Sequence, residues 1–142
     1  MATYSKRTSK FEREVLRLVA ELQEVGKLVH VPRVLSINGS RVTFEHRGVD
    51  LRYYTKPIDY DRLHRMLVVT LRDLFDAGYV HADLENGGAI MRNVLVDERG
   101  KYWLIDFGSM QTVEDAVEEE GLYCPEVHAM IIVRTLRDFL KR

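Results

Sequence analysis

Apolar residues recur at helical spacing in three long stretches of the chain. The first runs from Ser9, which can cap a helix, to about Leu28. The second covers residues 60–77 and the third covers residues 125–140, each with an apolar stripe on one side. A shorter, acidic stretch lies at residues 113–120. The pattern predicts three long amphipathic helices and one short acidic helix.

Short runs of β-branched and aromatic residues in four places predict two hairpins. The predicted strands are residues 33–37, 41–46, 93–96 and 102–105. Asn38-Gly39-Ser40 connects the first pair, and Asp97-Glu98-Arg99-Gly100 connects the second. Residues 81–92, which precede the second hairpin, show no periodicity and are predicted to be irregular. Helices combined with hairpins in one chain indicate an α+β fold.

Composition and charge fit one globular domain that spans residues 1–142. Hydrophobic residues make up 46% and charged residues 30% of the chain, which is ordinary for a soluble fold. Lys and Arg total 21 against 22 Asp and Glu, a balance that argues neither for nor against nucleic acid. Nucleic acid is expected to be an indirect partner at most. The single cysteine, Cys124, cannot form an internal disulfide and indicates a reducing, cytoplasmic location. No apolar run approaches the roughly 20 residues that span a bilayer, so no membrane segment is predicted.

Three oxygen-bearing side chains lie at the ends of predicted elements. Asp83 is in the irregular segment after the second long helix, Asn93 opens the second hairpin, and Asp106 closes it beside Phe107-Gly108. Because a hairpin brings its two ends together, Asn93 and Asp106 are expected to lie close to each other. Mg²⁺ prefers oxygen ligands, and phosphoryl transfer needs such an ion together with a carboxylate near the attacking oxygen. These residues therefore predict a phosphoryl-transfer site.

The order of these residues resembles the catalytic and metal-binding loops of the protein-kinase-like superfamily. The matching segments are His81-Ala82-Asp83, Asn93-Val94-Leu95-Val96 and Leu104-Ile105-Asp106-Phe107-Gly108. Ala82 replaces the more usual arginine, which is similar to the small atypical members of the superfamily. These include the RIO-type kinases, the aminoglycoside-phosphotransferase-like enzymes and the kinase subunit of the KEOPS tRNA-modification complex.

The resemblance implies a role for each residue and makes ATP and Mg²⁺ the expected cofactors. Asp83 would be the catalytic base or would orient the substrate hydroxyl, and Asn93 and Asp106 would hold the metal ion. Glu14 on the first helix would orient a phosphate-binding lysine, with Glu21 as the alternative.

Residues 44–51 resemble the hinge that connects the two lobes of a kinase. Backbone groups of this segment meet adenine in the family, so the resemblance assigns Glu45 and Arg47 to nucleotide binding. It also divides the expected kinase-like fold into a reduced N-terminal lobe, residues 1–50, and a minimal C-terminal lobe, residues 51–142.

The spacing of the catalytic loop departs from the family. Asp83 and Asn93 are ten residues apart, whereas the family usually places the corresponding residues five apart. Residues 85–90 therefore look like an insertion. Asn86 is an alternative metal ligand, although the Val-Leu-Val sequence after Asn93 fits the strand that follows the ligand in kinases.

The parts that hold phosphates in kinases are also incomplete in the sequence pattern. No glycine precedes Gly26, so a glycine-rich loop is not recognisable. No lysine is predicted on a strand before the first helix, where Lys6 and Lys10 are the only candidates. Losing one such electrostatic contact can cost about 10²–10³ in rate. The isolated chain is therefore expected to have weak or no activity unless a protein partner completes the nucleotide site.

The leading interpretation is an ATP- and Mg²⁺-dependent phosphotransferase or ATPase of the atypical Ser/Thr kinase type. A catalytically degenerate kinase that serves as a binding scaffold is the first alternative, favoured by the missing glycine loop and lysine. A small-molecule phosphotransferase is the second, since no substrate pocket is legible in the sequence.

Overall fold

The N-terminal part of the protein is a three-stranded antiparallel sheet with one helix beside it. The computed structural model describes residues 2–141, except for the side chain of Glu120. The elements of this part are β1 (Thr3–Arg7), α1 (Lys10–Glu24), β2 (Val34–Asn38) and β3 (Arg41–Glu45). Strand β3 lies between β1 and β2, so a strand before α1 and a hairpin after it form one sheet.

The rest of the chain is mainly helical and contains two small sheets. Its elements are β4 (Val49–Asp50), a 3₁₀ turn (Leu51–Tyr53), α2 (Tyr60–Asp76), β5 (Tyr79–His81), α3 (Gly87–Asn93), β6 (Val94–Val96), β7 (Tyr102–Leu104), β8 (Met110–Thr112), α4 (Val113–Glu120) and α5 (Pro125–Leu140). One sheet has the strand order β4-β6-β7, and β5 pairs with β8. All of these pairings are antiparallel. The mixture of helices and small sheets confirms the predicted α+β class.

One hydrophobic cluster extends through both parts of the molecule. Leu16 on α1, Leu67 on α2 and Leu136 on α5 are completely buried in it. Burying one such leucine contributes about 1.5–3 kcal/mol relative to an exposed side chain. The helices that border the functional site are therefore fixed by packing rather than by local preference alone.

The helices and hairpins predicted from local patterns are confirmed, with small changes at their ends. Helices α2, α4 and α5 agree with the predicted ranges within one residue, and β2–β3 and β6–β7 are the two predicted hairpins. Asp59 caps α2 by accepting a hydrogen bond from the backbone N–H of Arg62 at 3.1 Å. None of the helices within residues 2–141 has both the length and the hydrophobicity needed to cross a lipid bilayer.

Helix α1 begins after Ser9, as predicted, but ends at Glu24, before Leu28. Leu28 has left-handed backbone geometry, with φ of +52°, and its side chain is almost completely buried. Its backbone N–H donates a hydrogen bond to Oδ2 of Asp73 on α2, at 3.0 Å. Burial of the leucine and this hydrogen bond offset the strain of a positive φ. Helix α1 itself ends in a Schellman motif: Gly26 has φ of +83°, and the backbone N–H of Lys27 donates to the backbone oxygen of Leu22 at 2.9 Å.

Strand β1 was not predicted, and its presence corrects the expectation that no strand lysine precedes the first helix. Lys6 lies on β1, opposite Val42 of β3. The strand has the sequence Thr-Tyr-Ser-Lys-Arg and is largely exposed, so it has no apolar alternation to reveal it. It forms because β3, more than thirty residues later in the chain, provides the hydrogen-bonding edge.

Helix α3 was also missed, because residues 81–92 were expected to be irregular. Asn86 caps α3 by accepting a hydrogen bond from the backbone N–H of Ala89 at 2.8 Å, so its side chain has a structural role at the start of this helix. Gly87 obscures the helical signal, since glycine disfavours helices. A Cβ atom at Gly87 would lie 2.1 Å from Cγ of Phe139, so the glycine allows α3 to pack closely against α5.

The half-buried, hydrogen-bonded pair of Tyr123 and His128 is expected to make the protein less stable in mild acid. The two side chains are hydrogen-bonded at 2.7 Å. Burial, with a smaller contribution from His81, lowers the pKa of His128 from 6.5 to about 4. Below about pH 6.5 the imidazole of His128 is therefore protonated in the unfolded chain but stays neutral in the folded chain. Protonation favours the unfolded chain, so the free energy of unfolding decreases as the pH falls toward 4.

Replacing His128 by glutamine should remove that part of the pH dependence. From the two pKa values of His128, the free energy of unfolding should decrease by about 2 kcal/mol between about pH 7.5 and pH 5. Urea unfolding at both pH values would measure it. The loss should be smaller by that amount in His128→Gln, with the remainder due to other groups such as His81, whose pKa burial also lowers. An equal loss in both proteins would contradict the assignment.

Candidate nucleotide and metal site

A cavity of about 460 Å³ separates the N-terminal sheet from the helical part. Its walls come from β1, α1, β3, the segment that leads into β4, the end of α3 and the residues after β7. The charged and amide side chains that line the cavity are Lys6, Glu12, Glu45, Arg47, Asp50, Arg52, Arg92, Asn93 and Asp106. Apolar surface is supplied by Val31, Phe44, Val49, Leu95, Ile105 and Phe107. An apolar cleft with a few polar groups at one side is typical of a small-molecule site.

Lys6, Glu12 and Asp106 form a row of charges in this cavity. The Nζ atom of Lys6 lies 2.5 Å from Oε2 of Glu12 and 3.9 Å from Oδ1 of Asp106. Glu12 is only 6% exposed, so its carboxylate needs the ammonium group beside it. Ser9 fixes where α1 begins and thereby puts Glu12 in the first turn, close to the end of β1. The row depends on the tight connection between β1 and α1.

Glu14 and Glu21 do not occupy the position that was assigned to them. Both side chains are exposed on α1, and neither lines the cavity. Glu12 makes the contact with the lysine instead. Two residues along a helix correspond to a rotation of about 200°, so Glu12 and Glu14 face nearly opposite directions. The assignment to Glu14 is therefore corrected to Glu12.

Asp83 and Asn93 are joined directly, across the inserted helix α3. The amide nitrogen of Asn93 donates to the backbone oxygen of Asp83 and to its Oδ2 atom, each at 2.9 Å. Both amide hydrogens are used in this way, which leaves the Oδ1 atom of Asn93 free of the Asp83 contact. Asn93 is 4% exposed and lines the cavity. The ten-residue spacing therefore still brings the two side chains together.

His81 contacts the loop that carries Asp83 through a neutral imidazole ring. Its Nδ1 atom accepts a hydrogen bond from the backbone N–H of Asp83 at 3.2 Å, so Nε2 carries the proton and donates to the backbone oxygen of Ile105 at 3.0 Å. Complete burial lowers the pKa of His81 despite the neighbouring carboxylates. Its ring also packs edge-on against Phe107. His81 thus holds the Asp83 loop against the segment that carries Asp106.

The backbone at Asp106 has a positive φ of +69°, which is uncommon for a residue other than glycine. Oδ1 of Asp106 accepts a hydrogen bond from the backbone N–H of Gly108 at 3.3 Å. One residue earlier, the N–H of Ile105 donates to the backbone oxygen of Asn93 at 2.9 Å. The first bond is internal to the Asp106 segment, and the second ties this segment to the end of α3. Strained backbone of this kind is concentrated at functional sites.

The donor set suits a magnesium ion better than a softer metal. Within residues 2–141, no three His, Cys, Asp or Glu side chains are grouped closely enough to hold a metal by themselves. Asn93 and Asp106 would provide an amide and a carboxylate oxygen, which are hard ligands. Mg²⁺ is commonly held by one or two such side chains, with water and substrate phosphates completing the coordination. The residues present therefore fit Mg²⁺ bound together with a phosphorylated ligand.

The segment expected to be the hinge, residues 44–51, borders the cavity with every residue except Leu51. Glu45 and Arg47 form an ion pair, and the guanidinium of Arg47 lies 4.8 Å from the ring centroid of Trp103. Both side chains are thus occupied by contacts within the protein. Gly48 packs directly against the backbone of Val96. What this segment can offer a ligand is mainly its backbone and the apolar surface beside it.

Sequence reasoning missed Glu12 and Arg92 as residues of the cavity, whereas Lys6 was named as a candidate lysine without a strand to carry it. One signal for Glu12 was present, because Ser9-Lys10-Phe11-Glu12 has the pattern of a capping box, with an acid at the third helical position. In the structure Ser9 accepts from the backbone N–H of Glu12, as in a capping box, but the carboxylate turns to Lys6. Nothing in the local sequence marks Arg92.

A comparison with family models finds one match that covers most of the chain. Residues 12–131 match the model described as the ABC1 atypical kinase-like domain. The match begins at Glu12 and includes Asp83, Asn93 and Asp106, whereas Lys6 precedes it. A search of curated proteins finds no match to this chain.

Proposed function

Since this chain belongs to the family of ABC1 atypical kinase-like domains, we propose that it is an ATP- and Mg²⁺-dependent phosphotransferase or ATPase. The observation that carries the proposal is that the row formed by Lys6, Glu12 and Asp106 lines the same cavity as Asn93, whose amide is hydrogen-bonded to Asp83. Phosphoryl transfer depends mainly on positioning and charge neutralisation, and this arrangement offers both.

In the proposed reaction each residue acts through a group that is already positioned. Lys6, held by Glu12, neutralises phosphate charge, while Asn93 and Asp106 hold the metal ion. A Mg²⁺ ion held by these two side chains would supply neutralisation of phosphate charge. Asp83 orients the attacking hydroxyl and accepts its proton, and its hydrogen bond from Asn93 fixes the carboxylate for this task. The apolar wall of the cavity receives the base.

The attacking group is proposed to be a Ser or Thr hydroxyl of a protein partner, or water in an ATPase reaction. Under this proposal, residues 1–50 form the nucleotide-binding lobe and residues 51–142 form the larger lobe, in the manner of the small RIO-like and KEOPS-type kinases. A partner that covers the open side of the cavity would exclude water and raise the rate. A small-molecule hydroxyl is the alternative acceptor.

A binding scaffold without catalysis is the second candidate. Its support in the sequence is limited to residues 1–25, which contain no glycine. Its other support, the lack of a strand lysine, is removed by the position of Lys6 on β1. Nucleotide binding together with slow or absent turnover would distinguish this candidate from the enzyme.

Thermal unfolding with ATP and Mg²⁺ tests the proposal. A nucleotide at a hundredfold excess over its dissociation constant should stabilise the fold by about 2.7 kcal/mol. The increase in Tm should require both ATP and Mg²⁺ and should be lost in Asp106→Asn. The matched control is Asp138→Asn, an exposed acid on α5 far from the cavity lining, which should keep the full increase.

Turnover of labelled ATP, measured on the same proteins, separates the two candidates. The enzyme predicts a rate that falls at least about a hundredfold in Asp106→Asn, because the loss of one charge-stabilising contact has an effect of this size. No increase of Tm in the parent protein, with any combination of ATP and Mg²⁺, would contradict nucleotide binding and with it the proposed function.

A further inference from the structure

The cavity has four cationic side chains on its wall, and their surroundings differ. They are Lys6, Arg47, Arg52 and Arg92. Three of them are held by carboxylates of the same wall, namely Glu12, Glu45 and Asp50. No carboxylate lies within ion-pair distance of Arg92 in the part of the chain that the structure describes. Arg92 is therefore the cation of this wall whose charge is not already balanced there.

The position of Arg92 follows from the inserted helix α3. It is the residue before Asn93, in the last turn of α3, and it lies in the loop region that separates Asp83 from Asn93. Its Nη1 atom lies 3.5 Å from the point where a Cβ atom of Gly88 would be, so the glycine leaves room beside the guanidinium. The side chain is exposed and can turn toward a ligand without breaking an ion pair.

A nucleotide with several phosphates brings more negative charge than the paired cations of this wall can balance. Each pair of Arg52 with Asp50 or Arg47 with Glu45 is close to neutral, and Lys6 is shared between Glu12 and Asp106. A guanidinium offers two parallel donors that match two phosphate oxygens, which makes arginine a preferred partner of phosphate. An unpaired arginine next to the proposed metal ligand meets this need.

We propose that Arg92 binds the outer phosphates of the nucleotide, so that the inserted helix supplies a phosphate-binding cation. The inference rests on the proposed function and adds a residue to it. Arg92 acts as a specificity residue in this role, since it discriminates between ligands by their number of phosphates. It also gives a purpose to the ten-residue spacing between Asp83 and Asn93.

Calorimetric titration with ATP, ADP and adenosine tests this role, using the full chain in the presence of Mg²⁺. A hydrogen bond to a charged group contributes about 1.5–3 kcal/mol, so Arg92→Gln should raise the Kd of ATP at least about tenfold. The Kd of ADP should rise less, and that of adenosine should not change. Arg92→Lys, which keeps the charge but loses the fork of donors, should lie between the parent and Arg92→Gln.

Arg134→Gln is the matched control, because Arg134 is exposed on α5 and does not line the cavity. It should leave all three dissociation constants unchanged. Equal effects of Arg92→Gln on ATP and adenosine, or no effect on ATP, would overturn the role of Arg92 while leaving the proposed function intact. A parent protein that binds none of the three ligands would overturn both. Arg92→Lys also serves if the glutamine variant does not fold.

Discussion

Replacing Gly48 by alanine is expected to lower the free energy of unfolding by about 3 kcal/mol. Gly48 has φ of +67°, in the left-handed region. A Cβ atom there would lie 2.0 Å from the backbone oxygen of Val96 and 2.8 Å from Cα of Asp97. Both neighbours are backbone atoms of the second hairpin, so no side-chain rotation can make room. Either the hinge segment or the hairpin must move.

Gly39→Ala separates the steric part of this effect from the backbone part. Gly39 has a similar φ of +60°, but an added Cβ atom would meet nothing within 4 Å. Only the cost of a left-handed alanine, about 1 kcal/mol, is therefore expected there. Urea unfolding of the two variants and the parent would measure the difference. Equal losses in the two variants would show that the contact between Gly48 and Val96 is looser than described.

The displacement caused by Gly48→Ala should also reach the cavity. The segment expected to be the hinge lines one wall, and Leu95 of the same hairpin, with Asn93 just before it, lines another. Pushing the two apart would change the width of the cleft while leaving the charged row at Lys6 untouched. A variant that still folds should therefore bind adenosine and ATP more weakly by similar factors, because the change affects the base end of the cavity.

Elements that are determined by their own sequence could be predicted. Helix α5 has its apolar stripe and a proline at its first position, and the β2–β3 hairpin has its Asn-Gly turn. The order of Asp83, Asn93 and Asp106 indicated a kinase-like site for a similar reason, because each of them lies in a short motif of consecutive residues. The family match confirms an atypical kinase-like domain, whereas the RIO-like or KEOPS-type subtype stays a prediction.

Elements that depend on distant partners could not be predicted. Strand β1 is polar and forms only because β3 lies beside it. Helix α3 depends on the fit of Phe139 over Gly87. The same limitation explains Glu12, since the face of α1 that meets the cavity is set by docking against the core. Sequence periodicity gives the apolar face of a helix but not which acid beside it meets a lysine.

The position of Lys6 depends on two features that the sequence pattern did not predict. These are strand β1, which carries the lysine, and Glu12, which pairs with it. Its ammonium group is shared between Glu12, at 2.5 Å, and Asp106, at 3.9 Å. A charge held in this way has two possible partners of opposite function. Under the proposed function, the lysine paired with Glu12 would be available to phosphate. The lysine paired with Asp106 would neutralise a proposed ligand of the metal ion.

Glu12→Gln should therefore reduce ATP turnover by about 10²–10³, the range seen when one charge-stabilising contact at an active site is lost. Without the negative charge of Glu12, the closest carboxylate to Lys6 is that of Asp106. The lysine should then pair with Asp106 and compete with Mg²⁺, so the concentration of Mg²⁺ needed for nucleotide binding should rise as well. Glu14→Gln is the matched control, because Glu14 is exposed on the same helix and outside the cavity.

Titrating Mg²⁺ at fixed ATP, with both binding and turnover as readouts, distinguishes this mechanism from a simple loss of stability. Urea unfolding identifies the conditions in which a variant is fully folded. A variant that is only less stable should need the same concentration of Mg²⁺ as the parent under those conditions. Glu12→Gln should instead keep its raised requirement while folded, and Glu14→Gln should match the parent in every measurement. The reverse result, with Glu14→Gln impaired and Glu12→Gln unchanged, would mean that the first assignment of the lysine partner was right and that the contact between Lys6 and Glu12 has no part in the chemistry.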